Sequence, residues 1–104
     1  MLECIGLIEV YTSGKTKLDF LGSVQLQDAV TRRIEIIGEA SKNIPVEIKT
    51  KYPDVRWKEI SGMRDILVHE YFGIDLELTW RVVTTDLPEL KKKILKIILK
   101  MDKA

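Results

Sequence analysis

One ten-residue stretch, Met63 to Phe72, gathers side chains that are suited to proton transfer and to phosphate binding. It holds the only histidine of the chain, His69, with Arg64 five residues before it and Tyr71 two residues after it. An unperturbed histidine titrates close to neutral pH and therefore both gives and takes protons. Arginine stays charged and offers a planar donor fork that fits phosphate. This combination suits chemistry on a phosphodiester without a metal ion.

Residue types alone leave a structural alternative open. A single histidine near a helix end is more often a capping or partly buried residue than a catalyst. Tyr71 followed by Phe72 is equally compatible with plain hydrophobic packing.

The spacing of Arg64, His69 and Tyr71 resembles the signature of the HepT-like branch of the HEPN superfamily. Other stretches read like that branch in the same order, and the resemblance covers nearly the whole chain. These stretches are Gln27–Val30, Ile36–Pro45, Tyr52–Pro53 and Trp57–Gly62. The chain departs from the family pattern at its start, where the first helix is shorter than usual.

The resemblance implies a metal-independent endoribonuclease toxin of a type VII-like toxin–antitoxin pair. In that reading Arg64 and His69 are catalytic, Asp65 supports them, and two copies of the motif face one groove in a homodimer. Tyr71 would accept AMP from a minimal nucleotidyltransferase that acts as the antitoxin. The alternative is a noncatalytic HEPN module that binds a nucleotide or docks a nucleotidyltransferase partner.

RNA cleavage by the 2′-hydroxyl needs a base, a stabilised phosphorane and an acid for the leaving 5′-oxygen. One histidine does not easily serve as both base and acid in a single in-line step, so a second His69 across a dimer cleft would complete the site. Arg64 and His69 lie roughly 140° apart on an ideal helix, so their convergence requires the helix to end or distort near His69.

Three further polar residues are candidates for the same cleft. Asp65 lies one helical turn before His69 and could orient the imidazole or raise its pKa, although an ordinary helix ion pair is an equal alternative. Glu39 and Asn43, four residues apart on the second long helix, are candidates to line the cleft, but such pairs more often face solvent.

Composition favours one helical domain over residues 1–104. The chain has 45% hydrophobic and 32% charged residues and a net charge of +1, so RNA binding would need a local cluster of cations. One cysteine, Cys4, and one histidine permit neither an internal disulfide nor a cysteine/histidine zinc site. No metal or cofactor is expected. The absence of a long apolar run predicts no membrane association, and we expect a cytoplasmic protein with Cys4 buried.

Apolar residues recur at steps of three and four, which predicts an all-α, HEPN-like, up-and-down bundle of four to five helices. Ser23 is expected to cap a long helix that ends before Pro45, and Asp75 to cap a later one. Gly38 and Gly62 are expected to allow close helix packing. The motif helix should span about Val55 to Val68.

Two features of the last third of the chain remain open at this stage. The stretch from Asp86 to Glu89 resembles a capping box, so residues 82–86 are either a break or a kink. The final helix is apolar over a broader face than one core requires, which indicates a partner surface or a wide core face. Its lysines, Lys91–Lys93 and Lys96, are either solvated or in contact with RNA.

Overall fold

The computed structural model describes the backbone of residues 1–69 and 75–103 and the side chains of residues 1–63 and 75–101. Both backbone ranges are helical, without strands, which confirms the all-α prediction. The elements are α1 Leu2–Thr12, α2 Lys17–Leu21, α3 Val24–Lys42, α4 Val46–Lys51, α5 Trp57–His69, α6 Leu76–Arg81, a π-helical segment Val82–Asp86, and α7 Leu87–Lys103. Because the last three run on from one another, four long elements form the bundle and α2 and α4 connect them.

Short polar side chains begin three of the helices. Ser23 accepts a hydrogen bond from the Leu26 N–H at 3.1 Å, and Asp75 accepts one from the N–H three residues further on at 3.0 Å, as the sequence predicted for both. Thr16 and Asp19 form a reciprocal capping box at the start of α2. The backbone N–H of Thr16 stabilises the carboxylate and so lowers the pKa of Asp19.

The hydrophobic core draws on every long element. Its most completely buried aliphatic side chains come from α1, α3 and α7: Ile5, Ile8, Val30, Ile34, Ile37 and Leu87. Phe20 of α2 is fully buried against Trp80 of α6, with ring centroids 5.3 Å apart. Within the described ranges, no helix is both long enough and apolar enough to cross a membrane.

Helices α3 and α5 approach each other closely where Gly38 lies. A Cβ atom built on Gly38 would sit 3.4 Å from the Ile60 carbonyl oxygen and 3.5 Å from that of Ser61. Beside this contact, the Ser41 and Ser61 hydroxyl oxygens lie 2.6 Å apart. Ser41 donates to the Gly38 carbonyl at 2.8 Å, so the Ser61 hydroxyl is the donor to Ser41. The predicted close packing at Gly38 is therefore confirmed, and it fixes α5 against α3.

We expect Gly38→Val to lower the free energy of unfolding by about 1–3 kcal/mol, because its methyl groups would push against the α5 backbone. Gly6→Val is the matched control, since a Cβ there would meet no described atom within 4 Å. Its effect should stay within about 0.5 kcal/mol. Urea unfolding followed by circular dichroism measures both. Equal losses in the two variants would contradict the account of the α3–α5 contact.

The helix that begins at Leu76 continues through residues 82–86 without a break. The Leu87 N–H donates to the Val82 carbonyl, five residues back, which is the π-helical pattern. This wider turn brings Val82 and Leu87, both buried, to the same face. Asp86 is thus inside a helix rather than at an N-cap, so the predicted capping box at Asp86 is wrong.

Candidate active site

The start of α5 is fixed by hydrogen bonds that the side chain and the backbone of Trp57 donate to preceding residues. The indole Nε1–H of this buried residue donates to the Tyr52 carbonyl at 3.1 Å. The helix begins two residues later than predicted because Val55 first closes a turn: its N–H donates to Tyr52 O at 3.3 Å, and its carbonyl accepts from the Trp57 N–H at 2.9 Å. Together with the Gly38 contact, these bonds set the position from which α5 carries the motif.

Arg64, Asp65 and His69 all belong to helix α5. Asp65 and His69 are one turn apart, so their Cα atoms share a face of the helix. Arg64 and His69 are five residues apart, roughly 140° around it. The side chains of these three residues, and all of Tyr71, lie outside the described residues.

Gly62 shares the helix face of Asp65 and His69, since it precedes them by three and seven residues. The expected close helix packing at Gly62 is not seen in the described part of the chain, where a Cβ would meet no atom within 4 Å. There is therefore open space directly above Gly62 in the described part of the chain.

Glu39 lies on the last turn of α3, and Asn43 directly follows the helix as its C-cap. The Asn43 side chain donates to the Glu39 carbonyl at 3.3 Å, and the Glu39 carboxylate pairs with Lys42 at 3.5 Å. Both residues are exposed. These described contacts stay within α3, and a role in lining the cleft remains a prediction.

Cys4 is buried, as expected, and lies beside a cation that sequence reasoning did not place there. The Cys4 thiol and then the Tyr11 hydroxyl interact with the Arg33 guanidinium and raise the pKa of Arg33. Arg33 of α3 therefore lies near the Cys4 and Tyr11 side chains of α1.

A cleft of about 490 Å³ separates α5 from the α6–α7 helix. Its floor is apolar, with Ile60, Met63 and Leu90, and both signs of charge line its rim. Met63 precedes His69 by six residues, roughly 120° around α5, so this cleft opens on a different side of the helix from the position of His69. The sequence carried no signal for it, because it depends on how α5 is placed relative to the α6–α7 helix in the fold. No group of three or more histidine, cysteine, aspartate or glutamate residues placed to hold a metal ion occurs among the described residues.

Comparison with known proteins assigns the chain to a family. The family model described as "Ribonuclease HepT-like" matches residues 1–97, which include the whole stretch from Arg64 to Tyr71. The chain belongs to this HepT-like family of the HEPN superfamily, as the resemblance in the sequence indicated.

Several curated proteins are similar over most of this chain. A protein of Methanocaldococcus jannaschii, named as a gamma-glutamylcyclotransferase and, provisionally, an RNase, is 59% identical over 99% of the chain, which spans 46% of that protein's length. A provisionally named ribonuclease HepT of Thermococcus cleftensis is 47% identical over 91% of the chain and 86% of its own length. A provisionally named RNase of Caldanaerobacter subterraneus is 45% identical over 94% of the chain and 87% of its own length. No solved structure was found to match this chain significantly.

Proposed function

We propose that this protein is a metal-independent endoribonuclease toxin that acts as a homodimer and is restrained by a nucleotidyltransferase antitoxin. The observation that carries the proposal is the match to the HepT-like ribonuclease family over residues 1–97. The provisional RNase names of its relatives in Thermococcus cleftensis and Caldanaerobacter subterraneus support it. The close packing of α5, which carries Arg64 and His69, against α3 also supports the proposal.

The chemical step needs no group beyond those the dimer would supply. One His69 removes the proton from a ribose 2′-hydroxyl, whose oxygen attacks the adjacent phosphorus. Arg64 stabilises the charge of the pentavalent phosphorane. The bond to the 5′-oxygen breaks, and the second protomer's His69 donates a proton to that oxygen. The products are a 2′,3′-cyclic phosphate and a 5′-hydroxyl.

The remaining residues would orient this machinery. Asp65, one turn before His69, would accept a hydrogen bond from the imidazole and so orient it. Glu39 and Asn43 would line the groove through which RNA passes. The open face at Gly62 supports a dimer cleft on this side of α5, because a glycine there leaves room for a substrate or a second helix.

Restraint would act at Tyr71, two residues beyond His69. Transfer of AMP to the Tyr71 hydroxyl, with release of pyrophosphate from ATP, would place an anionic, bulky group next to Arg64. That group would compete with the RNA phosphate for the same cation.

The nature of the RNA ends and the need for the 2′-hydroxyl test this proposal. We expect cleavage of a defined RNA to leave 2′,3′-cyclic phosphate and 5′-hydroxyl ends, identified by mass spectrometry. A matched RNA with a single 2′-deoxynucleotide at the scissile position should resist cleavage at that site alone. Cleavage at the deoxy position would contradict attack by the 2′-oxygen. A protein that binds nucleotide or a nucleotidyltransferase but cuts no RNA would point instead to the noncatalytic module.

A further inference from the structure

Four lysines from two separate helices form one surface, here called the lysine patch: Lys51 of α4 and Lys93, Lys96 and Lys100 of α7. The three residues of α7 follow one another by three and four positions, so they share one face of that helix and extend over roughly 10 Å. Lys51 joins them because its ammonium group and that of Lys100 lie over the same ring, that of Tyr52. The patch is thus a product of tertiary structure rather than of a run of lysines in the sequence.

Tyr52 organises the patch. The Nζ atoms of Lys51 and Lys100 each lie 5.7 Å from the centroid of the Tyr52 ring, within the range of a cation–π contact. Tyr52 is only 7% exposed, and the Trp57 indole donates a hydrogen bond to the Tyr52 carbonyl, so the two ammonium groups lie over a residue that is itself held in place. The Lys93 ammonium is fixed as well, since it donates to the Asp54 carbonyl at 2.8 Å.

The charge of the patch is largely uncompensated. The whole chain has 17 lysine and arginine residues and 16 acidic residues, so its net charge of +1 provides no general attraction for a polyanion. Within the described part, Lys51, Lys96 and Lys100 have no ion pair, and Lys93 has one, with Glu89 at 3.7 Å. By contrast, Lys17, Lys42 and Lys91 all pair with carboxylates. Three of the four patch lysines are therefore without a carboxylate partner among the described residues.

We propose that the lysine patch binds the phosphate backbone of single-stranded RNA next to the segment being cut, without reading its sequence. This inference rests on the proposed function, because it names where the substrate of that ribonuclease is held. Lysine ammonium groups suit the role, since they bind phosphate as point charges and release counterions when they do so. Tyr52 is too buried to stack on a base, which leaves backbone charge as the feature that is recognised.

The test compares Lys51→Gln/Lys100→Gln with Lys15→Gln/Lys17→Gln, a control that removes the same charge outside the patch. Binding of a fluorescent single-stranded RNA is measured by anisotropy at several salt concentrations, with His69→Ala added to every protein so that the RNA stays intact. The patch variant should lower the slope of log affinity against log salt by about 1.4, or 0.7 for each lysine. Affinity at 0.1 M salt should then fall about 25-fold if the affinities converge near 1 M. The control should match the parent.

A slope and affinity equal to the parent's, or equal losses in the patch variant and the control, would overturn the proposal. Cleavage kinetics of proteins that retain His69 distinguish failure of the patch proposal from failure of the proposed function. The patch variant should raise the KM for a long RNA and leave kcat unchanged. Patch-dependent binding by a protein that never cleaves RNA would overturn only the proposed function, whereas cleavage with an unchanged KM would overturn only the patch. If the patch variant bound RNA as well as the parent does but no longer bound an acidic protein, RNA would not be the occupant of the patch.

Discussion

His69→Ala is expected to reduce the rate of RNA cleavage by about 10²–10⁴-fold, the usual contribution of a general acid or base. The loss could exceed this range if both copies of His69 act in one step, because the substitution removes the base and the acid together. We expect kcat to fall far more than KM changes, since the imidazole acts on protons that move in the transition state. Single-turnover cleavage of a labelled RNA measures the effect.

A control on the same helix separates this loss from a loss of folding. Glu59 lies on the side of α5 that lines the 490 Å³ cleft and pairs with Arg56 at 3.3 Å in an exposed contact. Glu59→Gln should therefore retain the parental rate, and both variants should keep the helical circular dichroism of the parent. Retained cleavage in His69→Ala, or equal loss in both variants, would remove His69 from the mechanism.

Phe20→Ala is expected to lower the free energy of unfolding by about 3–5 kcal/mol, the range for truncating a buried aromatic residue. Phe20 is 0% exposed and packs on Trp80, so the substitution leaves a cavity between α2 and α6 and removes a ring contact. Such a loss is a large share of the stability of a domain of this size. Urea unfolding followed by tryptophan fluorescence and by circular dichroism measures it.

The matched control lies two residues away on the same short helix. Leu18 is 79% exposed, so Leu18→Ala removes side-chain carbons from a position that contributes little to the core. Its effect should stay within about 0.5 kcal/mol. A loss from Phe20→Ala no larger than that from Leu18→Ala would show that α2 does not contribute to the core as described.

Local signals in the sequence sufficed where a helix start depends on one side chain. Ser23 and Asp75 were predicted as caps and are caps, because the bond they make reaches only three residues along the chain. Val30, Ile34 and Ile37 of α3 follow one another by four and three positions and are all buried, because one face of a long helix must meet the core.

Features that depend on two elements at once were harder to predict. The sequence around Asp86 satisfies the rule for a capping box, yet the burial of Val82 and Leu87 on one face favours a continuous helix with a π turn. Gly38 and Gly62 look alike in sequence, and only packing distinguishes the close contact at Gly38 from the open face at Gly62.

In the candidate active site, too, local features could be predicted and those that depend on two elements could not. Sequence alone named Arg64, His69 and Tyr71, because the motif is short and continuous. It could not reveal that Trp57, bonded to the Tyr52 carbonyl, and the Ser41–Ser61 pair hold the motif helix in place. Nor could it show that Lys51 and Lys100 lie over the same Tyr52 ring, since the two lysines are 49 positions apart in the sequence.

Cleavage of RNA by the purified protein in excess EDTA is the most direct test of the central claim. The protein is first checked by intact mass for the absence of AMP, and His69→Ala purified in parallel reports any contaminating nuclease. We predict that the parent cleaves at the same rate with EDTA as without it and that the variant does not cleave. Activity that disappears in EDTA and returns with added magnesium, or no cleavage by the clean, unmodified protein, would contradict a metal-independent ribonuclease.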